Sequence, residues 1–124
     1  MNIDELADSI SEEELRLNLI KCINVWKSDD RDINDLYNMI AKWHGNVWFK
    51  SESESNKFYK NIQFFKTQAI DGIGGLTVNE RLFFFDLLNE WENTDKSGQI
   101  RIRGKIHAFA KQEKTKRHAK ALAL

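Results

Sequence analysis

The feature that most restricts the fold of this chain is the lack of proline among its 124 residues. Proline is the strongest helix breaker, so its absence favours an all-α fold. Hydrophobic residues make up 41% of the sequence and include four Trp and eight Phe, a composition typical of a packed core rather than of a disordered chain. We therefore expect a single compact all-α domain over residues 1–124, with about five helices and with residues 1–10 and 111–124 able to fray.

The first half of the chain carries two amphipathic helix patterns. Apolar residues recur at three- and four-residue steps over residues 12–27, and Ser11 is placed to form a capping box in front of them. A second helix is predicted to begin after the cap residue Asp32. It is expected to end at Gly45, because glycine is the most common residue just past a helix C-terminus.

The second half of the chain adds three more helix patterns. A third helix is predicted over residues 55–70, and a fourth over residues 78–92. The fourth is expected to be the most central, because its apolar residues cover more than one face. Residues 100–103 alternate like a strand, but a lone strand has no partner to pair with. Ile102 and Ile106 therefore predict a fifth helix in this region.

A glycine-rich stretch separates the third and fourth predicted helices. Three glycines within four positions form a loop that can adopt positive φ without penalty, and Thr77 with Glu80 has the spacing of a capping box. A phosphate cradle is the competing interpretation, but the stretch follows a helix and lacks the Gly-Lys-Ser/Thr ending of a phosphate-binding loop. We predict a structural corner in which Arg81 binds loop carbonyls. The residues of this motif are Gly72, Gly74, Gly75, Thr77, Asn79, Glu80 and Arg81.

Residues suited to catalysis or metal binding are sparse. His44, His107 and His118 lack the close spacing of a metal pair, and the sequence contains no Gly-x-Ser-x-Gly nucleophile motif. The single cysteine, Cys22, has apolar neighbours and is expected to be an inert core thiol. We expect neither enzymatic activity nor a metal or cofactor.

The ends and the apolar runs of the sequence bear on localisation. The N-terminus is acidic where a signal peptide would be basic. No segment approaches the roughly 18 to 20 apolar residues that span a bilayer. We expect a cytoplasmic protein without a membrane partner.

The net charge of zero conceals a strong asymmetry along the chain. Residues 1–35 carry ten acids and four bases, residues 36–95 eight acids and six bases, and residues 96–124 one acid and nine bases. These counts give −6, −2 and +8. The basic end either binds nucleic acid or neutralises acidic helices of the same fold, and the sequence leaves both interpretations open.

Two tryptophans flank the predicted end of the second helix. Trp43 lies in step with Ile40, which places it in the core. Trp48 lies beyond the helix and is the better candidate for an exposed contact, because large aromatic side chains are common in binding hot spots.

The glycine corner and the segment after it resemble a known family. The string runs Asp-Gly-Ile-Gly-Gly at residues 71–75, Asn-Glu-Arg-Leu at 79–82, and Leu-Leu-Asn-Glu-Trp at 87–91. With the upstream Asp-Ile-Asn-Asp-Leu at 32–36 and Gly-Asn-Val-Trp at 45–48, it is similar to immunity proteins of contact-dependent growth inhibition and related polymorphic toxin systems. The resemblance covers about residues 32–92.

This resemblance implies a binding protein that neutralises the C-terminal toxin domain of a large surface-delivered protein. If the toxin is a nuclease, acids of the immunity protein are expected to face its basic cleft. The candidate partner-binding residues are Asp29, Asp30, Asp32, Asp35, Trp48, Glu52 and Glu54. The alternative is a small regulatory protein that binds nucleic acid through its basic C-terminal segment, although the neutral total charge makes nucleic acid the less expected partner. The sequence does not indicate an oligomeric state.

Overall fold

The computed structural model describes residues 1–108, which form seven α-helices and no strand. The helices are α1 (Ile3–Asp8), α2 (Glu13–Ser28), α3 (Ile33–Asn46), α4 (Glu52–Phe65), α5 (Val78–Phe84), α6 (Leu88–Glu92) and α7 (Lys96–Lys105). The all-α prediction is confirmed, with more and shorter helices than the sequence suggested. Within residues 1–108, no helix is both long enough and apolar enough to cross a membrane. The predicted basic tail from Lys111 onward lies outside the described residues.

The first ten residues, which the sequence allows to fray, contain helix α1. Asn2 and Glu5 form a capping box at its N-terminus, with each side chain accepting a hydrogen bond from the other's backbone N–H. Ile3 and Leu6 are fully buried, and the helix packs against α2 and α4. Burial of these side chains provides the free energy that a six-residue helix lacks on its own.

Helices α2 and α3 match the predicted segments, but two of their ends differ from the prediction. Ser11 forms no cap. Its hydroxyl donates to a Glu54 carboxylate oxygen at 3.4 Å, and α2 begins without a side-chain cap. Helix α3 continues through Gly45 to Asn46. The Asn46 side-chain amide donates to the Lys42 carbonyl at 2.7 Å, so an asparagine rather than a glycine closes this end.

Helix α4 starts three residues earlier than predicted and ends in an unusual turn. Ser51 caps it by accepting a hydrogen bond from the Glu54 backbone N–H. After Phe65 the chain widens into a π-helical turn, Lys66–Asp71, and then a short 3₁₀ turn, Ile73–Gly75. The predicted third helix is therefore an α-helix followed by a π-helical turn.

The predicted glycine corner is present. No glycine of the described part of the chain has positive φ, so the corner forms without the left-handed backbone that glycine permits. Gly72 is required for a different reason: a Cβ atom there would lie 2.6 Å from the backbone oxygen of Gln68. Gly74 and Gly75 have open space around the position of a Cβ atom. Only the first glycine is therefore imposed by packing.

The predicted fourth helix, residues 78–92, is two helices. Helix α5 ends at Phe84, and Asp86 adopts a left-handed conformation with φ of 51° before α6 begins at Leu88. The break turns Phe85 and Leu87 both into the core, where each is fully buried. A continuous helix would place these two residues about 200° apart around its axis. The prediction of one central helix is therefore wrong.

Helix α7 confirms the helical interpretation of the segment near Ile102. Ile102 and Ile106 are fully buried, whereas Ile100 is 55% exposed. Asp95 caps the helix through the Gly98 backbone N–H. Helix α7 brings Arg101 and Lys105 against the end of α2, where both bind Asp29, a residue of the predicted acidic site.

Candidate functional site

The first predicted acid of the partner site, Asp29, has partners within the chain. Its carboxylate pairs with Arg31 at 2.5 Å and with the Lys105 Nζ at 3.1 Å. Partial burial alone would raise the pKa of the Asp29 carboxyl, but its hydrogen bonds to Arg31 and Lys105 outweigh that effect and lower the pKa. Asp29 is therefore ionised and already neutralised by the fold.

Lys105 is the centre of the α2–α3 junction, by which we mean residues 29–32 between the two helices and the side chains that bind them. Its side chain is almost fully buried, and its Nζ donates to the backbone oxygens of Asp29 and Arg31 at 2.6 and 2.5 Å. The same ammonium lies 4.4 Å from the ring centroid of Trp26. Burial lowers the pKa of Lys105 despite the neighbouring Asp29 carboxylate. Arg101 adds a hydrogen bond to the Asp29 carbonyl at 2.9 Å.

Asp32 and Asp35 also serve the fold. They form the capping box of α3, confirming the predicted cap at Asp32. The second oxygen of Asp32 lies 2.9 Å from the His107 Nε2. Partial burial would raise the pKa of Asp32, but its bonds to His107 and to the Asp35 backbone lower it. Asp30 is exposed and makes no hydrogen bond to another described residue.

These contacts distinguish the two interpretations of the basic end. Within residues 96–108, Arg101, Lys105 and His107 bind acids or carbonyls near the α2–α3 junction. Arg103 lies 5.1 Å from the Trp91 ring centroid and bonds the Ala108 carbonyl. For these residues, neutralisation of acidic helices in the same fold is the arrangement found.

Trp48 lies in a different environment. It is 91% exposed, the most exposed of the large hydrophobic residues in the described part of the chain, so the prediction that it is exposed is confirmed. Trp43 is buried, as predicted, and its indole N–H donates to the Asn18 side-chain oxygen at 2.8 Å. The other two candidates, Glu52 and Glu54, belong to the first turn of α4 rather than to a loop.

The segment that carries Trp48 is anchored on both sides. Phe49 packs edge-on against Trp43, with ring centroids 6.3 Å apart, and the backbone N–H of Lys50 donates to a Glu12 carboxylate oxygen at 3.0 Å. His44 lies 3.0 Å from the Ser55 hydroxyl and so connects the end of α3 to the start of α4. The exposed indole is therefore presented by a fixed linker.

An open cleft of about 540 Å³ surrounds Trp48. It is lined by the last two residues of α3, by linker residues other than Lys50, and by Glu52 and Ser55 of α4. We call this feature the Trp48 cleft. Of the described residues that line it, only Glu52 carries a charge. An exposed aromatic ring and a carboxylate that line the same cleft are suited to binding a cationic group.

The motif after the glycine corner is structural in its contacts. Thr77 and Glu80 form the predicted capping box. Arg81 donates to the carbonyls of Leu76 and His107 at 3.0 and 2.6 Å, which confirms its predicted contact with loop carbonyls and ties the corner to the end of α7. Asn79 is exposed. Within residues 1–108, no group of three or more His, Cys, Asp or Glu side chains is arranged to hold a metal ion.

One polar cluster was not predicted from the sequence; it consists of Lys27, Asp4 and Asp86, and we call it the Lys27 cluster. The Lys27 Nζ lies 2.6 Å from Asp86 and 3.8 Å from Asp4, and so joins α1, α2 and the α5–α6 break. Partial burial and the hydrogen bond with Asp86 raise the pKa of Asp4 to about 6. The available signal was the position of Lys27, four residues after the buried Ile23 and therefore on the apolar face of α2.

Comparison with known proteins adds no relative. No family model matches the chain, and no curated protein or solved structure is significantly similar to it.

Proposed function

We propose that this chain is an immunity protein that binds and neutralises the C-terminal toxin domain, a nuclease, of a contact-dependent growth inhibition system. The string over residues 71–92 supports the proposal through its resemblance to such proteins. An immunity protein of this kind acts by binding alone, without turnover. It works in the cytoplasm, where the delivered toxin domain would otherwise act.

The single observation that carries the proposal is the exposure of Trp48. A tryptophan that is 91% exposed on an anchored linker contributes little to the fold. Tryptophan is among the residues most enriched in interface hot spots, because its large rigid ring buries much area at small entropic cost. A protein partner that covers this ring would account for its position.

The charge around the cleft supports a nuclease as the partner. Enzymes that cleave nucleic acid bind phosphates with basic surfaces, and such surfaces attract exposed carboxylates over several ångströms. Among the predicted partner-binding acids, Asp30, Asp35, Glu52 and Glu54 have no ion pair within residues 1–108. Asp35 and Glu54 accept hydrogen bonds from Asp32 and Ser11, whereas the carboxylates of Asp30 and Glu52 accept none from a described residue. Electrostatic steering would raise the association rate, which matters for capturing a toxin before it acts.

Direct nucleic-acid binding receives no support from the described basic residues. Arg101 and Lys105 bind the α2–α3 junction, so they are not arranged as a row of free phosphate contacts. We therefore propose the immunity function in preference to nucleic-acid binding.

The test is protection of cells. The toxin domain encoded beside this gene would be expressed in a sensitive bacterium with and without the full-length chain, and an unrelated nuclease toxin would serve as the control. We expect survival only with the neighbouring toxin domain and a stable complex on gel filtration. A chain that fails to protect, yet binds duplex DNA with strongly salt-dependent affinity, would contradict the proposal.

A further inference from the structure

The C-terminal end of α3 opens into the Trp48 cleft. Gly45 and Asn46 line the cleft, and no donor within residues 1–108 bonds their carbonyl oxygens. The end of a 14-residue helix carries a partial negative charge, which favours a cation beside it. The Asn46 amide nitrogen is already bonded to Lys42, so the amide oxygen remains as a further acceptor.

Glu52 adds a full negative charge to the same cleft. No lysine or arginine within residues 1–108 lies within ion-pair distance of its carboxylate. Ser51 caps α4, and Glu52 and Glu54 lie in the first turn, so acids offset the positive end of that helix. Among the described residues that line the cleft, the one charged side chain is therefore an acid.

The exposed indole supplies the third component. A guanidinium group stacks on an aromatic face and donates from a planar fork to several acceptors at once, whereas an ammonium is a compact and more strongly hydrated charge. The cleft combines an aromatic face, a carboxylate and carbonyl acceptors. That set matches arginine better than lysine.

We propose that the Trp48 cleft is a receptor for one arginine side chain of the partner protein. The inference rests on the proposed function in one respect, namely that the partner is the toxin domain. On the far side of Glu52, Lys57 and Lys60 line a neighbouring depression. They repel a second cation there, so the cleft takes a single arginine rather than a run of basic residues.

The test uses the isolated full-length chain and a small probe. N-acetyl-arginine amide would be titrated at constant ionic strength into the ¹⁵N-labelled protein, and the Trp48 indole N–H resonance followed by NMR. Loss of one of the four indole signals in the folded Trp48→Phe variant assigns the resonance. We expect a saturable shift with half-saturation on the order of 10 mM. The lysine analogue should bind severalfold more weakly, and the neutral citrulline analogue at least about tenfold more weakly.

The variant Glu52→Gln should weaken arginine binding by about fivefold or more, because it removes the full charge and keeps the shape. Glu92→Gln, at an exposed acid of α6, is the matched control and should bind like the wild type. The proposal of an arginine receptor would be wrong if the citrulline and arginine analogues bound equally well, if Glu52→Gln bound arginine with unchanged affinity, or if no saturable shift appeared.

These outcomes are separable from failure of the immunity function. If the chain protects cells and Glu52→Gln protects equally well, the receptor is wrong while the immunity function stands. If the chain fails to protect cells but arginine still binds the cleft through Glu52, the immunity function is wrong while the arginine receptor stands.

Discussion

The α2–α3 junction and the Trp48 cleft both contain acids that the sequence assigns to partner binding, yet they use them in opposite ways. At the junction, the Asp29 carboxylate has Arg31 and the buried Lys105 as partners, and Asp32 has His107. In the cleft, Glu52 lies beside an exposed indole and has no ion pair within residues 1–108.

The comparison teaches that an acidic stretch in a sequence is not a measure of free negative charge. The carboxylates of Asp29 and Asp32 each bond a residue more than 70 positions away along the chain. An experiment that reverses Asp29, Asp30, Asp32 and Asp35 together would therefore disrupt the fold before it tested recognition. Single substitutions separate the two roles.

The largest effect should follow from removing the cation of the junction. Lys105→Met leaves the Arg31 carbonyl without its donor and removes the ammonium from the Asp29 carboxylate, while the Asp29 carbonyl keeps only Arg101. The expected loss is about 3 kcal/mol in the free energy of unfolding. Urea denaturation would measure it. Lys96→Met, at the exposed start of α7, is the control and should change stability by less than about 0.5 kcal/mol. Equal stability of the two variants would contradict the assigned role of Lys105.

A smaller effect should distinguish the two neighbouring acids of the junction. Asp32→Ala removes the cap of α3 and the partner of His107, so a loss of about 1–2 kcal/mol is expected. Asp30→Ala, at an exposed residue without a hydrogen bond to the described part of the chain, should be nearly neutral. The same denaturation experiment compares them. If Asp30→Ala were the more damaging change, the distinction between the two acids would be wrong.

The smallest effect concerns pH and the Lys27 cluster, the third place where acids serve the fold. Because the pKa of Asp4 rises from 3.8 to about 6 on folding, the folded state binds the proton more tightly than the unfolded state. Stability should therefore fall as pH rises between these two values and should level off above them. The Asp4 side chain is half exposed, so solvent screening keeps the change small.

The variant Asp4→Asn should flatten this part of the stability curve, since it keeps the neutral form at every pH. Asn79→Ala, at an exposed residue that does not titrate, should leave the slope unchanged. Thermal unfolding across the window provides the comparison, and an unaltered slope in Asp4→Asn would show that Asp4 is not the titrating group.

Local signals explain what the sequence predicted. The caps at Asp32 and Thr77 each join residues three positions apart, so spacing alone identified them. The exposure of Trp48 followed from its place beyond the apolar period of α3. These features depend on few neighbours, and the structure has all of them.

Long-range contacts explain what the sequence did not predict. The predicted fourth helix is interrupted at Asp86, whose carboxylate binds Lys27, 59 positions away in the sequence. Residues 82–88 are apolar on several faces, so periodicity could not distinguish one helix from two. Likewise, Asp29 pairs with Lys105 as well as with Arg31, and no local pattern joins Asp29 to Lys105. In the Trp48 cleft the indole was identified, whereas the carbonyls of Gly45 and Asn46 became acceptors only because α3 continues past the glycine.

The most direct test of the account is the affinity of the neighbouring toxin domain for two aromatic variants, measured by calorimetry. Trp48→Ala should weaken binding by about 30-fold, the effect of losing a hot-spot residue worth about 2 kcal/mol. Phe64→Ala is the matched control, because Phe64 is 56% exposed on α4, about 18 Å along the helix from Glu52. It should bind within about twofold of the wild type. Wild-type affinity in a folded Trp48→Ala protein, together with a large loss in Phe64→Ala, would contradict the account.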